Sequence, residues 1–295
     1  MGIFVGKFFF VNFFRLTRPL SNVKNIALIF LAFYLSKNSF NLALFLEGLF
    51  ALSFVCSAFY AYNTLSDYNS DKNNINKQHY SKAVDYFGKA NSFIIFFILL
   101  ISGFVIGFFV NLYFLSALIA LALINFFYSS KEFRFKEKFM LDIVFGAFLT
   151  FLLRFVASWF IFKISLPPLL VLSGLVFAKS AGFIIYKDFD YEYLIKNNVR
   201  NSTTILNKKA KIIISLFLWF ISFLSFIFLC LNSYYKIAIL GSSPFLFLFL
   251  PLFAIPPILV IYLRDFNIIN AKIKNLRTIG FIYWLLVIFI ILKLL

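Results

Sequence analysis

Asn63-Thr64-Leu65-Ser66-Asp67-Tyr68-Asn69-Ser70-Asp71 stands where a long apolar run, 41–63, gives way to the first dense polar stretch of the chain. A helix carried through it places Asn63, Asp67 and Asp71 at i, i+4 and i+8 on one face, each about 6 Å from the next. Two carboxylates and an amide in that register offer oxygen ligands to a hard cation. Mg2+ suits them, because it keeps several waters and takes one or two carboxylates together with substrate phosphates. The ligand implied is therefore phosphorylated. The bland alternative is an interfacial loop whose acids are merely solvated, and the rest of the chain weighs against it.

Hydrophobic residues make up 63% of the 295 and charged residues 13%, against about 25% charged in a soluble domain. With a mean hydropathy of +0.95, the chain reads as an all-α, polytopic membrane protein without a separate soluble domain. An amphipathic lead-in, 1–21, carries Lys7, Arg15 and Arg18 among phenylalanines and is expected to lie in the interface. Nine apolar runs follow, at 22–37, 41–63, 90–110, 112–128, 141–162, 166–187, 211–231, 244–263 and 277–294. Most approach the ~20 residues that cross a bilayer as helix. Pro251, Pro256 and Pro257 predict a kink in the eighth. Cys56 and Cys230 fall inside apolar runs and read as buried thiols.

A net charge of +17 could suggest nucleic acid, but its placement argues otherwise. Counting nine spans puts 22 of the 28 Lys and Arg on the side of the N-terminus and four (Lys37, Lys163, Lys236, Lys293) on the other, with Arg154 and Lys179 inside spans. That asymmetry predicts a cytoplasmic N-terminus, and a cytoplasmic face for the connections carrying the acids, in the cell inner membrane. Five of the eleven acidic residues lie in two short clusters on that side: Asp67 and Asp71, then Asp188-Phe189-Asp190-Tyr191-Glu192 closing the sixth span. Asp188 and Glu192 are one helical turn apart, with Lys187 before them, so this end also offers metal ligands. The residues alone leave open which of Asp188, Asp190 and Glu192 would serve.

Inside the membrane, Asp142 and Arg154 share the fifth span but sit twelve residues apart, about 18 Å along a helix, too far to pair. An ionisable group at Arg154's depth is a functional candidate by default. Asp142 is near the span's end, where an interfacial role is equally open. Lys179 lies two turns before Lys187 and could snorkel or reach a phosphate. Glu47 lies towards the outer half of the second span, where a structural hydrogen bond and a functional role are equally open. His79, the single histidine, falls in a polar loop, so no histidine base or Ser-His-Asp set is indicated.

Asn63-x3-Asp67-x3-Asp71 after the second span, an acidic cluster after the sixth, and nine spans together resemble the UbiA superfamily of intramembrane prenyltransferases. The likeness covers nearly the whole chain, taken as one domain, 1–295. Arg15-Leu16-Thr17-Arg18-Pro19 resembles the family's N-terminal Leu-x-Arg-Pro element, and Lys77 stands where members often place a basic residue. The chain departs from the family where His-Pro-x-Lys would follow the first motif, having Asn74-Ile75-Asn76-Lys77, and in Asp188-x3-Glu192 for the usual Asp-x3-Asp. The resemblance implies helices around a central cavity and Mg2+ held by Asp67, Asp71 and members of the Asp188, Asp190 and Glu192 cluster. It further implies a diphosphate clamped by Lys77, Lys187 and Arg200, and transfer of a polyprenyl group from its diphosphate to a small acceptor. Tyr128-Ser129, Asp142 and Arg154 resemble instead the branch that moves a phosphoribosyl unit from phosphoribosyl diphosphate to a polyprenyl phosphate. A non-catalytic lipid or solute transporter is the rival of a different class, since buried charges and broken helices suit it too.

Overall fold

The computed structural model describes residues 2–36, 38–74 and 77–231, and every regular element among them is helical. In chain order the elements are α1 (Gly2–Thr17), α2 (Val23–Ser36), α3 (Leu42–Ser66), α4 (Tyr68–Lys72), α5 (Gln78–Phe87), α6 (Lys89–Val110) and α7 (Leu112–Ser129). They continue with α8 (Leu141–Phe160, with a π turn at Val144–Leu149), α9 (Leu169–Lys187), α10 (Tyr191–Lys196), α11 (Ser202–Ile205) and α12 (Lys208–Leu231). Among the described residues seven helices are long and apolar enough to cross a membrane: Phe8–Ser36, taken as one segment, then α3, α6, α7, α8, α9 and the Lys208–Leu229 part of α12. They answer the first seven expected spans. The eighth and ninth, with the three prolines, lie outside the described residues.

Lipid as solvent explains the inverted pattern of α6. Its outer face carries Phe93, Phe97, Ile101, Val105 and Phe108, all exposed, while Ser92, Phe96, Gly103 and Gly107 are buried. Where hydrocarbon is the solvent, apolar burial does not drive helices together, and small residues that let backbones approach do. A Cβ on Gly103 would meet Val55 Cγ2 at 2.7 Å and the Ala51 carbonyl at 3.0 Å, so α6 lies directly on α3. A Cβ on Gly182 of α9 would meet nothing within 4 Å. Gly103→Ala is accordingly expected to cost about 1–3 kcal/mol by overpacking. Gly182→Ala should stabilise by about 0.5–1 kcal/mol through its helix propensity. Paired unfolding curves in detergent check the two signs.

Asparagines mark the turns at one end. Asn111 separates α6 from α7; its Oδ1 accepts from Phe114 N at 2.8 Å, and its Nδ2 donates to the Phe160 carbonyl at 2.8 Å. Asn38 donates to the Phe162 carbonyl at that same end. At the opposite end the three polar connections knit into one cap. Tyr193 Oη donates to the Ser70 carbonyl at 2.6 Å, Asn201 Nδ2 to the Lys136 carbonyl at 3.2 Å, and Met140 N to Ser202 Oγ at 2.9 Å. Residues 67–74, 77–88, 130–140 and 188–207 thereby close over the end of the bundle where both acidic clusters lie.

The lead-in is helical as α1 and ends at Arg18, whose φ of 49° is rare for a residue with a side chain. Arg18 is held there by a 2.9 Å hydrogen bond from Nη2 to Thr64 Oγ1 and by stacking 3.6 Å from the centre of the Tyr80 ring.

Candidate active site beneath the polar cap

A cavity of about 1110 Å3 lies beneath the cap. Three carboxylates, Asp67, Asp71 and Asp190, line it together with seven cations: Arg15, Arg18, Lys24, Lys77, Arg154, Lys179 and Lys187. Its walls are aromatic as well, including Phe59, Tyr60, Tyr128, Phe151 and Phe183. The excess of positive charge marks it for an anionic ligand.

The first motif is not one unbroken helix. α3 stops at Ser66, Asp67 takes ψ of 5°, and α4 resumes at Tyr68. The one-turn hydrogen bonds nevertheless persist, from Asp67 N to the Asn63 carbonyl at 2.9 Å and from Asp71 N to the Asp67 carbonyl at 2.7 Å. Asn63, Asp67 and Asp71 therefore keep their common face and all three line the cavity.

Lys136, from the loop before α8, reaches Asp67 with its ammonium and also donates to Asn63 Oδ1 at 3.2 Å. Ser129 Oγ donates to that same Asn63 oxygen at 3.0 Å, and Arg134 Nη2 lies 3.6 Å from Asp67. Nothing in the sequence separates Lys136 from the three other basic residues of its loop, Lys131, Arg134 and Lys138. Its role is visible only once the loop has folded over α3.

Of the second cluster, Asp190 lines the cavity and pairs with Lys77 at 2.8 Å. Asp188 is buried and pairs with Lys211 of α12 at 2.7 Å, outside the cavity lining. Glu192 is exposed on α10, and Arg200 is exposed in the loop before α11. Lys187 lines the cavity and donates to Asp142 Oδ2 at 3.1 Å and to the Lys136 carbonyl at 3.2 Å. Asp142 is 1% exposed and also accepts from Ser202 Oγ at 2.6 Å, which makes it a tie between α8, α9 and the last loop of the cap. Glu47 is exposed near the other end of α3, and His79 stacks beside Tyr80 in the cap.

Arg154, Lys179 and Lys24 line the cavity from α8, α9 and α2. Lys24, which sequence counting assigns to the charged flank of the first span, instead donates from Nζ to Tyr60 Oη at 3.0 Å inside the cavity. A lysine two residues into a span looks the same in sequence whether it points to headgroups or inward.

Among the described residues no group of three or more His, Cys, Asp or Glu side chains could hold a metal unaided. Mg2+ does not require one, since one or two carboxylates plus substrate phosphates suffice. Asp67 and Asp71, with Asn63 beside them, fit that donor set, and Asp190 lines the same cavity. Burial, then the nearby Asp67 carboxylate, pushes Asp71 up to about 6 against the pull of Lys77, Arg18 and Lys136. Burial opposes the charge on Lys77 too, yet Asp190, then Asp71 and Asp67, hold it above the ordinary lysine value.

The raised Asp71 has a definite sign. A carboxylate whose folded value exceeds its unfolded one of 3.8 contributes stability that is present below about 4 and is lost as pH rises through about 6. Without Mg2+, Asp71→Asn is therefore expected to unfold at a higher temperature than the wild type at pH 7.5 and near the wild-type temperature at pH 4. Added Mg2+ should stabilise the wild type more at pH 7.5 than at pH 5. Equal shifts at both pH values would sink this reading of Asp71.

Several solved structures resemble the chain. A UbiA homologue from Archaeoglobus fulgidus bound to GPP and Mg2+ superposes with a TM-score of 0.73 at 17% identity, over 96% of this chain and 99% of that one. An apo UbiA homologue from Aeropyrum pernix K1 gives 0.68 at 17% identity, over 93% and 96%. A structure described for digeranylgeranylglyceryl phosphate synthase gives 0.64 at 20% identity, over 96% and 95%. At such identities the likeness shows the fold. No curated protein sequence matches the chain significantly. The family model of the UbiA prenyltransferases matches residues 25–291, which takes in both acidic clusters, and the chain belongs to that family.

Proposed function

We propose that the protein is a Mg2+-dependent intramembrane transferase that moves a polyprenyl group from its diphosphate to a small acceptor and releases diphosphate. One observation carries the reading: Asp67, Asp71 and Asp190 meet Arg18, Lys77 and Lys187 around one cavity that is also lined by Phe14, Phe59, Tyr60, Tyr128, Phe151 and Phe183. Such a mouth suits a metal-bound diphosphate, and such walls suit an isoprenoid. The GPP and Mg2+ bound by the Archaeoglobus fulgidus homologue support it by analogy. Bound Mg2+ would act as a Lewis acid, neutralising charge on the departing oxygens.

The chain's own side chains do the rest. Asp67 and Asp71, with Asp190 on the same cavity, present the oxygens that would hold the ion. Lys77 and Lys187, both lining the mouth, clamp the diphosphate as point charges, and Arg18 is preset beside them by its stack on Tyr80. As the C1–O bond breaks, its electron pair leaves with the diphosphate and C1 becomes cationic. The faces of Phe59, Tyr128 and Phe183 stabilise that carbon. The acceptor's attacking atom then forms the new bond to C1 and gives up its proton, which leaves with the released diphosphate or to water. Charge asymmetry supports a cytoplasmic capped end, where a soluble acceptor would enter.

A second reading has its own support. Arg154, with Lys24 and Lys179 near it, puts three cations where an isoprenoid would need only hydrocarbon. In that reading phosphoribosyl diphosphate is the donor, a phosphate oxygen of a polyprenyl phosphate forms the bond to the anomeric carbon, and diphosphate again takes the electrons of the bond that breaks. Purified protein in lipid with Mg2+ separates the readings. A polyprenyl diphosphate with aromatic acceptors should give prenylated product under the first. Phosphoribosyl diphosphate with polyprenyl phosphate should give a phosphoribosylated lipid under the second. Folded protein releasing diphosphate in neither mixture, yet moving a solute across the membrane, would return the chain to the transporters.

A further inference from the structure

We propose that Gly146, in the π turn of α8, is a positioning and selectivity residue: its missing side chain seats the rings of Tyr128 and Phe183 beside Lys187, and the seated pair grips the first isoprene unit of the donor. The inference rests on the prenyl-transfer reading and names what selects the hydrocarbon end of that donor.

An interior glycine weakens a helix and a π turn is a rare departure from one, so the two together at one place call for a packing reason. Val144–Leu149 is that turn, and Gly146 lies inside it. Thr150 Oγ1 donates to the Phe145 carbonyl, five residues before it, at 2.5 Å and ties the turn together. Gly146, Ala147 and Thr150 all line the cavity. The irregular turn is thus part of the cavity wall.

Two rings converge on the glycine. A Cβ on Gly146 would stand 2.7 Å from Phe183 Cζ, 2.8 Å from Tyr128 Cε2 and 3.0 Å from Tyr128 Cζ. Carbon atoms in ordinary contact lie about 3.5–4.0 Å apart, so a single methyl group drives both rings off their seat. Tyr128 comes from the end of α7 and Phe183 from near the end of α9, and both line the cavity with Gly146. Three helices therefore meet at the one position that carries no side chain.

Lys187 gives the ring pair its meaning. Its Nζ lies 5.8 Å from the centre of the Tyr128 ring and 5.3 Å from that of Phe183. A diphosphate clamped by Lys187 delivers the carbons next to it onto these rings. Lys187 is itself held by Asp142 at 3.1 Å and by the Lys136 carbonyl at 3.2 Å, and neither contact runs through the rings. Displacing the rings loosens the hydrocarbon and leaves the clamp in place. A glycine that served only to pack helices would change stability without changing which ligand is preferred.

The test uses the full chain in nanodiscs with Mg2+ and titrates it calorimetrically with two probes, inorganic diphosphate and geranyl S-thiolodiphosphate, whose sulfur bridge resists cleavage. Both bring a diphosphate to the cavity, so the ratio of their affinities reports the grip on hydrocarbon. Wild type is expected to bind the geranyl probe at least about tenfold tighter than diphosphate. Gly146→Ala should lose about tenfold on the geranyl probe and less than about twofold on diphosphate. Gly182→Ala, next to Phe183 but with nothing within 4 Å of its Cβ, is the matched control and should keep the wild-type ratio. Phe183→Leu removes the ring atom nearest the Gly146 Cβ, so adding Gly146→Ala to it should cost less than adding it to wild type. Thr150→Val should also lower the ratio, and Thr150→Ser, which keeps the hydroxyl, should lower it less.

Equal ratios for folded Gly146→Ala and wild type would overturn the inference, as would a loss that falls equally on both probes or is the same with and without Phe183→Leu. Thermal unfolding establishes that each variant is folded; if Gly146→Ala does not fold, Thr150→Val against Thr150→Ser decides by the same ratio. Failure of the prenyl-transfer reading looks different: wild type itself would bind the geranyl probe no tighter than diphosphate, and that result overturns the reading and the inference together.

Discussion

Asp67→Asn is expected to lower the rate of diphosphate release by about 10²–10³-fold, the usual loss when one preorganised partner of developing charge is removed. The side chain stands at the break between α3 and α4, in line with Asn63 and Asp71, and answers two cations of the cap, Lys136 and Arg134. An amide of equal size retains the hydrogen-bonding shape but not the charge that would hold Mg2+. The loss should not be recovered by raising Mg2+ if Asp67 also positions the donor, and should be partly recovered if it only binds the ion. Two companions test where the second cluster acts. Asp190→Asn should also lose activity, because Asp190 lines the cavity against Lys77. Glu192→Gln, on an exposed position of α10, should stay within about twofold of wild type, as surface changes do. Diphosphate release by Asp67→Asn at the wild-type rate would remove the first motif from the mechanism.

The membrane architecture was legible because hydropathy changes sharply at span ends. Runs expected at 41–63, 90–110 and 112–128 are helices Leu42–Ser66, Lys89–Val110 and Leu112–Ser129. The common face of Asn63, Asp67 and Asp71 was legible too, since a one-residue break that keeps the i→i−4 hydrogen bonds preserves the register. What could not be read were the partners of charges. Asp188, Asp190 and Glu192 are neighbours in sequence, but the 3-10 turn at Asp188–Asp190 sends the first to Lys211, the second into the cavity and leaves the third exposed. A helical-register argument pairs Asp188 with Glu192, and the tighter turn voids it. Lys136 and Lys24 were hidden for a related reason. The positive-inside rule explains any lysine near a span end, so it cannot single out these two.

Asp142 shows how the cap and the cavity beneath it depend on one buried charge. Its carboxylate, 1% exposed, accepts from Lys187 Nζ at 3.1 Å and from Ser202 Oγ at 2.6 Å, and the Ser202 amide approaches it at 3.4 Å. Removing one partner of a buried ion pair leaves the other uncompensated and costs about 3–5 kcal/mol. Asp142→Ala strands the Lys187 ammonium as well as the Ser202 donors. The structure holds few substitutes, because the other oxygen on Lys187 is the Lys136 carbonyl. Asp142→Ala is therefore expected to unfold at markedly lower denaturant and to expose 188–207 to limited proteolysis. Asp142→Asn, which can still accept from Ser202, should fall between the two. Activity should follow stability only in part. Lys187, freed from Asp142, remains a cavity cation and can still meet a diphosphate, so saturating donor should restore some turnover to Asp142→Asn. Stability of Asp142→Ala within 1 kcal/mol of wild type would mean that the cap is held by its backbone hydrogen bonds, and that Asp142 belongs to the chemistry instead.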